Sequence, residues 1–202
     1  MTNPLLKIID LPPFSAIKPE HVEPAIDQIL ADNRAAIADL LNNPEDKTWD
    51  NLIIPMEDLE DRLSRAWSPV SHMNSVLNSD ELRDAYNACL PKLSQYATEL
   101  GQNEMLYAAF EHIASNVDKT KELNTPQQKA IDNALRDFRL SGVGLSDDQK
   151  TRFMEVKQEL STLTANFSQN VLDATQAWSN HITDKKDLDG LPDSAIAMAK
   201  QA

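Results

Sequence analysis

Apolar residues return every three or four positions along most of this chain, the spacing of helices that bury one face. Val22, Ile26, Ile29, Leu30, Ile37, Leu40 and Leu41 keep that rhythm from Pro19, a residue type favoured in a first helical turn, to about Asn42. Asn43 and Pro44 stop it. Thr48 is a good N-cap for a second helix whose stripe is Leu52, Met56, Leu59, Leu63 and Trp67. Pro55 and Pro69 are expected to kink or interrupt this helix, because proline removes an amide donor and clashes with the turn before it. The tract 68–78 then continues as a second helical piece. Ser79 caps a third helix with Asp80 and Glu81 in its first turn, where the helix dipole favours acids. Its stripe is Leu82, Tyr86, Cys89, Leu90, Leu93, Tyr96 and Leu100, and Gly101 ends it. A fourth helix over about 103–115 carries Leu106, Phe110 and Ile113.

The second half opens on Thr125-Pro126-Gln127-Gln128, which reads as a capping box with proline at the first helical position. Ile131, Ala134, Leu135 and Phe138 form the apolar face of that helix, which ends before Gly142. Asp132 and Arg136 are placed to pair on its outer face, worth about 0.3–0.5 kcal/mol. Ser146 to Gln149 reads as a second capping box. The long helix behind it repeats Phe153, Val156, Leu160, Leu163, Phe167 and Asn170, a seven-residue pattern expected of a helix packed lengthwise on neighbours. After Thr175 the period falls to two, with Trp178, Asn180 and Ile182 on one side, so a short strand is expected over 176–183. Gly190-Leu191-Pro192 is a turn, and a last helix starts at Pro192. The chain stops at Ala202 without a helix stop signal, which reads as a cut.

The predicted fold is therefore mainly α: an antiparallel multi-helix domain over 19–174. An extended arm, 1–18, precedes it, and 175–202 starts a following segment of strand, turn and helix. Pro4, Pro12 and Pro13 keep the arm from regular helix. Leu5, Leu6, Ile8, Ile9, Leu11, Phe14 and Ile17 make it too apolar for a free tail, so it is expected to lie against the body.

Composition supports this reading. At 202 residues the chain can bury a core of its own, and four glycines are about a third of average usage. The formal charge of −13 argues against nucleic acid or an anionic membrane as partner. No apolar window approaches a membrane span. The first residues lack the basic and apolar regions of a secretory signal. Cys89 is the single cysteine, so no internal disulfide can form. A cytoplasmic location is expected.

Candidate chemistry is sparse. A hydrolytic metal site of the H-E-x-x-H kind needs two histidines one helical turn apart. His21, His72, His112 and His181 are never within four residues of one another, and Glu111-His112 is followed by Ser115 and Asn116 where a second histidine would stand. Glu57, Asp58, Glu60 and Asp61 read as a solvated helix face, and Cys89 as a buried thiol. Gly142-Val143-Gly144 reads as helix termination, and Trp49, Trp67 and Trp178 as core or interface anchors. No nucleotide loop or nucleophile elbow occurs. No catalytic, cofactor-binding or metal residue is assigned.

Six tracts in order carry a resemblance: LPPFSAIKPEHVEPAI, TWDNLIIPME, SPVSHMNSVLNSDELRDAY, LNTPQQKAIDNALRDFRLSGVGL, FSQNVLDATQAW and ITDKKDLDGLP. Together they resemble the N-terminal region of the thimet oligopeptidase family, its bacterial branch above all. The resemblance implies a much longer zinc metallopeptidase, helical, with a channel that admits short peptides and excludes folded proteins. It implies that zinc and the catalytic glutamate belong to a C-terminal part, so that zinc is a cofactor of the parent and not of this chain. It further implies that these helices wall the channel, that cleaved signal peptides are among the substrates, and that the chain alone is inert. Apolar surface left uncovered by the missing part would favour self-association. The alternative is a free-standing helical module that binds peptides or proteins without catalysis.

Overall fold

A computed structural model describes residues 3–7, 11–116 and 123–201. They form seven α-helices: α1 Pro19–Asn42, α2 Ile54–Val76, α3 Asp80–Gly101, α4 Glu104–Ser115, α5 Thr125–Leu140, α6 Asp147–Ala177 and α7 Asp193–Ala199. The chain divides into two compact units, Met1–Ala165 and Asn166–Ala202.

In the first unit, α1, α2 and α3 pack around Val22, Ile26, Ile29, Val70 and Cys89. Leu5 and Ile17 join this cluster, whereas Leu6, Leu11 and Phe14 of the arm stay exposed. Ile8 and Ile9 fall outside the described residues. Asn3 fastens the arm by donating to the His21 carbonyl at 2.7 Å. A second cluster joins α4 and α5 through Leu106, Phe110, Ile113, Ile131 and Phe138. Leu41, Met56 and Leu100 touch both clusters and make one continuous interior. Each fully buried Ile or Leu contributes roughly 1.5–3 kcal/mol.

Pro69 does not interrupt α2, which runs unbroken through it. Pro69 is itself buried between Ala66 and Val70, so packing offsets the lost amide donor, and Pro55 sits in the first turn where no donor is needed. Thr48 does cap: its Oγ1 accepts from the Asn51 amide at 3.2 Å, and Asn51 Oδ1 accepts from the Thr48 amide at 2.8 Å. The turn it opens, Trp49–Ile53, is π-helical rather than α. That wider turn sends Leu52 and Ile53 into the α4–α5 cluster, away from the stripe with which Leu52 was grouped.

The box at the start of α5 is Asn124 with Gln127, one residue earlier than the sequence suggests. Each side chain accepts from the other's amide, at 3.0 and 2.9 Å. Thr125 is already helical, and asparagine is an equally good cap. Arg136 pairs with its neighbour Asp137 at 2.8 Å instead of with Asp132. The end of α5 explains the glycine pair. The Val143 amide donates to the Phe138 carbonyl and the Gly142 amide to that of Arg139, both at 3.1 Å, the double bond of a Schellman cap. It requires Gly142 at φ 84°, and a Cβ there would stand 2.6 Å from Leu145 Cδ1.

Ser146 and Gln149 then open α6, with the Ser146 amide donating to Gln149 Oε1 at 3.2 Å. This helix has 31 residues and buries none of them. The expected lengthwise packing is absent among the described residues: Val156 is 45% exposed, Leu160 and Leu163 56%, and Phe167 71%.

The second unit holds the end of α6, residues 178–184 without regular structure, a short turn Lys185–Leu188 and α7. No strand forms among the described residues, contrary to the expectation for 176–183. Gln176 and Ala177 complete α6, and Trp178 stands 74% exposed. Alternation alone makes no strand without a neighbouring edge to accept its amides.

Candidate functional site

The four histidines have separate local roles. His21 Nδ1 accepts from the Lys18 amide at 3.1 Å and helps start α1. His72 tilts against Phe14, with ring centroids 5.8 Å apart. His112, in the last turn of α4, meets Asp46 at 2.5 Å, and His181 lies in the irregular part of the second unit. Among the described residues, no three His, Cys, Asp or Glu side chains gather where a metal could be held. The donor set of a zinc site, two histidines and an acid converging on one point, is not met by them.

The acidic run on α2 is followed by two arginines, Arg62 and Arg65. Arg65 pairs with Asp61 at 2.6 Å, and Arg62 reaches Asp32 of α1 at 2.7 Å. The Arg62 hydrogen bond, helped by Gln28, holds the Asp32 carboxyl below the usual range. Cys89 is buried, and that burial pushes its thiol up to about 12, which removes it as a nucleophile. Trp67 stacks on Tyr86 at 4.8 Å between α2 and α3. Gly142-Val143-Gly144 is the helix stop already described.

The feature that sequence reading missed is a cleft on the seam of α1 and α3. It encloses about 320 Å³, floored by Ile37, Leu41 and Leu100 and edged by Arg34, Tyr96 and Met105. Arg34 Nε meets Glu99 Oε2 at 2.8 Å, and the guanidinium lies 5.4 Å from the Tyr96 ring centre. A second recess of about 370 Å³ shares Arg34 and Glu99 and continues past Gln95 to Lys92 and Asp27. There the Lys92 amine bridges Asp27 and Glu23, both at 2.7 Å, and those bonds hold it protonated above its ordinary range. Burial pushes the Tyr96 phenol up, while neighbouring Asn33 acts the other way. Every charge here is answered by an opposite one, and no activated nucleophile or base is present. The first cleft has room for an apolar side chain, whereas the second is lined mostly by charged and polar groups. The signal was available: Leu30, Arg34, Ile37 and Leu41 share a helix face, as do Lys92, Tyr96 and Glu99.

The described residues of the first unit form a helical body with two core clusters joined through shared residues. Residues 26–150 match the family model of the neurolysin/thimet oligopeptidase N-terminal domain, and the chain belongs to this family. Within it, the chain is 51% identical over 200 residues to oligopeptidase A of Salmonella typhimurium and 49% identical over 202 residues to that of Haemophilus influenzae. A probable cytosolic oligopeptidase A of Arabidopsis thaliana is 36% identical over 201 residues. These alignments cover 99–100% of this chain but only 28–29% of each relative, so the chain spans less than a third of their length. No described helix is long and apolar enough to cross a membrane.

Proposed function

We propose that this chain is the N-terminal, non-catalytic part of an oligopeptidase A-type zinc peptidase that hydrolyses short peptides in the cytosol, cleaved signal peptides among them. The observation that carries the reading is its alignment. About half the residues agree from end to end with bacterial oligopeptidases A, yet the match stops at 29% of their length. Zinc supplies the activated water of such an enzyme, and its ligands then belong to sequence beyond the matched part. The role of this part is to form a wall of the substrate channel. The apolar-floored cleft between α1 and α3 suits such a wall, because it has room for a side chain of an extended peptide.

Two experiments test the reading. The 202-residue chain, supplied with zinc and an internally quenched short peptide, is expected to cleave nothing; zinc-dependent cleavage would refute the non-catalytic role. Substituted for the matching part of the Salmonella enzyme, it is expected to give an active chimera. A soluble, folded but inactive chimera would count against the assignment.

A second reading, a free-standing peptide-binding module, is favoured by one observation: both core clusters close without help from further chain. It requires saturable binding of short peptides to the isolated chain, and a flat titration to millimolar peptide removes it.

A further inference from the structure

The first α1–α3 cleft presents hydrogen-bonding groups that its own fold does not use. Arg34 Nε donates to Glu99 Oε2 at 2.8 Å, and Glu99 is itself held by Gln95, whose Nε2 donates to Oε1 at 2.7 Å. The Tyr96 ring centre lies 5.4 Å from the guanidinium. Arg34 is thus fixed in place, while its two terminal nitrogens have no partner among the described residues. Asn42 and Asn103 line the same cleft. Asn103 Oδ1 caps α4 by accepting from the Leu106 amide at 2.9 Å, which leaves its side-chain nitrogen to spare. The Asn42 side chain, at the end of α1, makes no hydrogen bond among the described residues.

We propose that this cleft binds the carboxyl-terminal end of a short peptide whose last residue is apolar. The inference rests on reading this part of the molecule as a wall that short peptides meet. Arg34 takes the terminal carboxylate, for which a guanidinium offers a matched pair of donors. The floor of Ile37, Leu41 and Leu100 takes the last side chain. The carboxamides of Asn42 and Asn103 bond main-chain groups further back. The spacing suits this: Arg34 and Asn42 are separated by about 12 Å of helix, and about three to four extended residues cover that length. A folded segment docking here would bring main-chain groups already paired within its own helices or strands, and no free carboxylate. An extended peptide end brings both. Because Arg34 is already held by Glu99 and Tyr96, little side-chain freedom is lost on binding. The formal charge of −13 gives no long-range pull on an anion, so the affinity is low and the contact local.

Proton–nitrogen correlation NMR of the whole 202-residue chain, titrated without zinc, tests the proposal. The probes are acetyl-Ala-Ala-Leu with a free carboxylate and the same peptide ending in a carboxamide. The free acid is expected to shift amides within 34–42 and 96–105 in a saturable way, and the carboxamide to bind about tenfold more weakly. Arg34→Gln is expected to weaken the free acid by about tenfold and to leave the carboxamide unchanged. Ala38→Phe, which fills the cleft, is expected to abolish binding of both, with circular dichroism verifying the fold of each variant. Equal affinity for the two probes, or equal losses of both in Arg34→Gln, refutes the carboxylate contact and overturns the proposal. Shifts confined to other parts of the molecule, or binding that survives Ala38→Phe, place the site elsewhere and also overturn it. A flat titration overturns it as well, yet leaves the family role standing, since an active chimera does not require this site.

Discussion

Helices α5 and α6 begin alike and end up in opposite surroundings. Both open on a polar cap answered by a glutamine three residues on, both carry an apolar stripe, and only the Schellman turn at Gly142 separates them. Yet α5 sinks Ile131, Leu135 and Phe138 into the second core cluster, while α6 buries nothing. An amphipathic period therefore marks a face that wants cover; it does not say which part of the protein supplies the cover.

The largest expected effect separates the two faces directly. Ile131→Ala removes a side chain that is 2% exposed and is expected to cost about 2–5 kcal/mol in urea unfolding. Leu163→Ala, measured in dilute solution, is expected to stay within about 0.5 kcal/mol of the parent. A cost above about 2 kcal/mol at Leu163 would mean that its face is covered within the monomer.

The turn between the helices comes next. Gly142→Ala forces a left-handed residue and a clash with Leu145, an expected loss of about 1–2 kcal/mol in thermal melts. Gly144→Ala meets no atom within 4 Å and is expected to be neutral or slightly stabilising. Equal losses at both positions would break the distinction between a required glycine and a permitted one.

Asn124→Ala deletes the reciprocal cap of α5 and is expected to cost about 1 kcal/mol, while Thr125→Ala changes much less. The reverse order in chemical denaturation would return the cap to Thr125.

The smallest effect concerns the tie between α4 and the first turn of α6. Hydrogen bonding from Lys150 holds the Glu104 carboxyl below its ordinary range. A carboxylate depressed by folding stabilises the protein above its unfolded pKa, and that contribution is lost as pH falls through the folded value. The hydrogen-exchange protection factor in the first turn of α6, with the intrinsic pH dependence of exchange divided out, is therefore expected to fall as the solution is acidified below the normal glutamate range. Lys150→Met is expected to remove that pH dependence, and its persistence in the variant would assign the tie to other groups.

Much of the first unit was legible in the sequence because its local signals agree with its packing. Pro19 begins α1 and Ser79 caps α3 as their residue types predict, α4 falls within the expected 103–115, and the core residues of α1 follow its spacing. The departures occur where tertiary packing overrides a local rule. Pro69 stays helical because its neighbours are buried, and Leu52 changes cluster because a π turn rotates it. The strand expected at Trp178 fails because pairing is not a local property. The α1–α3 clefts were hidden for a related reason. Arg34 and Glu99 are ordinary surface residues in sequence, 65 positions apart, and become a site only when two helices meet.

Cys89 turns the core into its own reporter. The single thiol sits at the centre of the α1–α2–α3 cluster, fully out of solvent and protonated by burial. A thiol reagent can reach it only when α3 lifts from α1, so its labelling rate measures how often this part of the molecule breathes. Nothing need be engineered to follow that motion; the native chain already carries its clock.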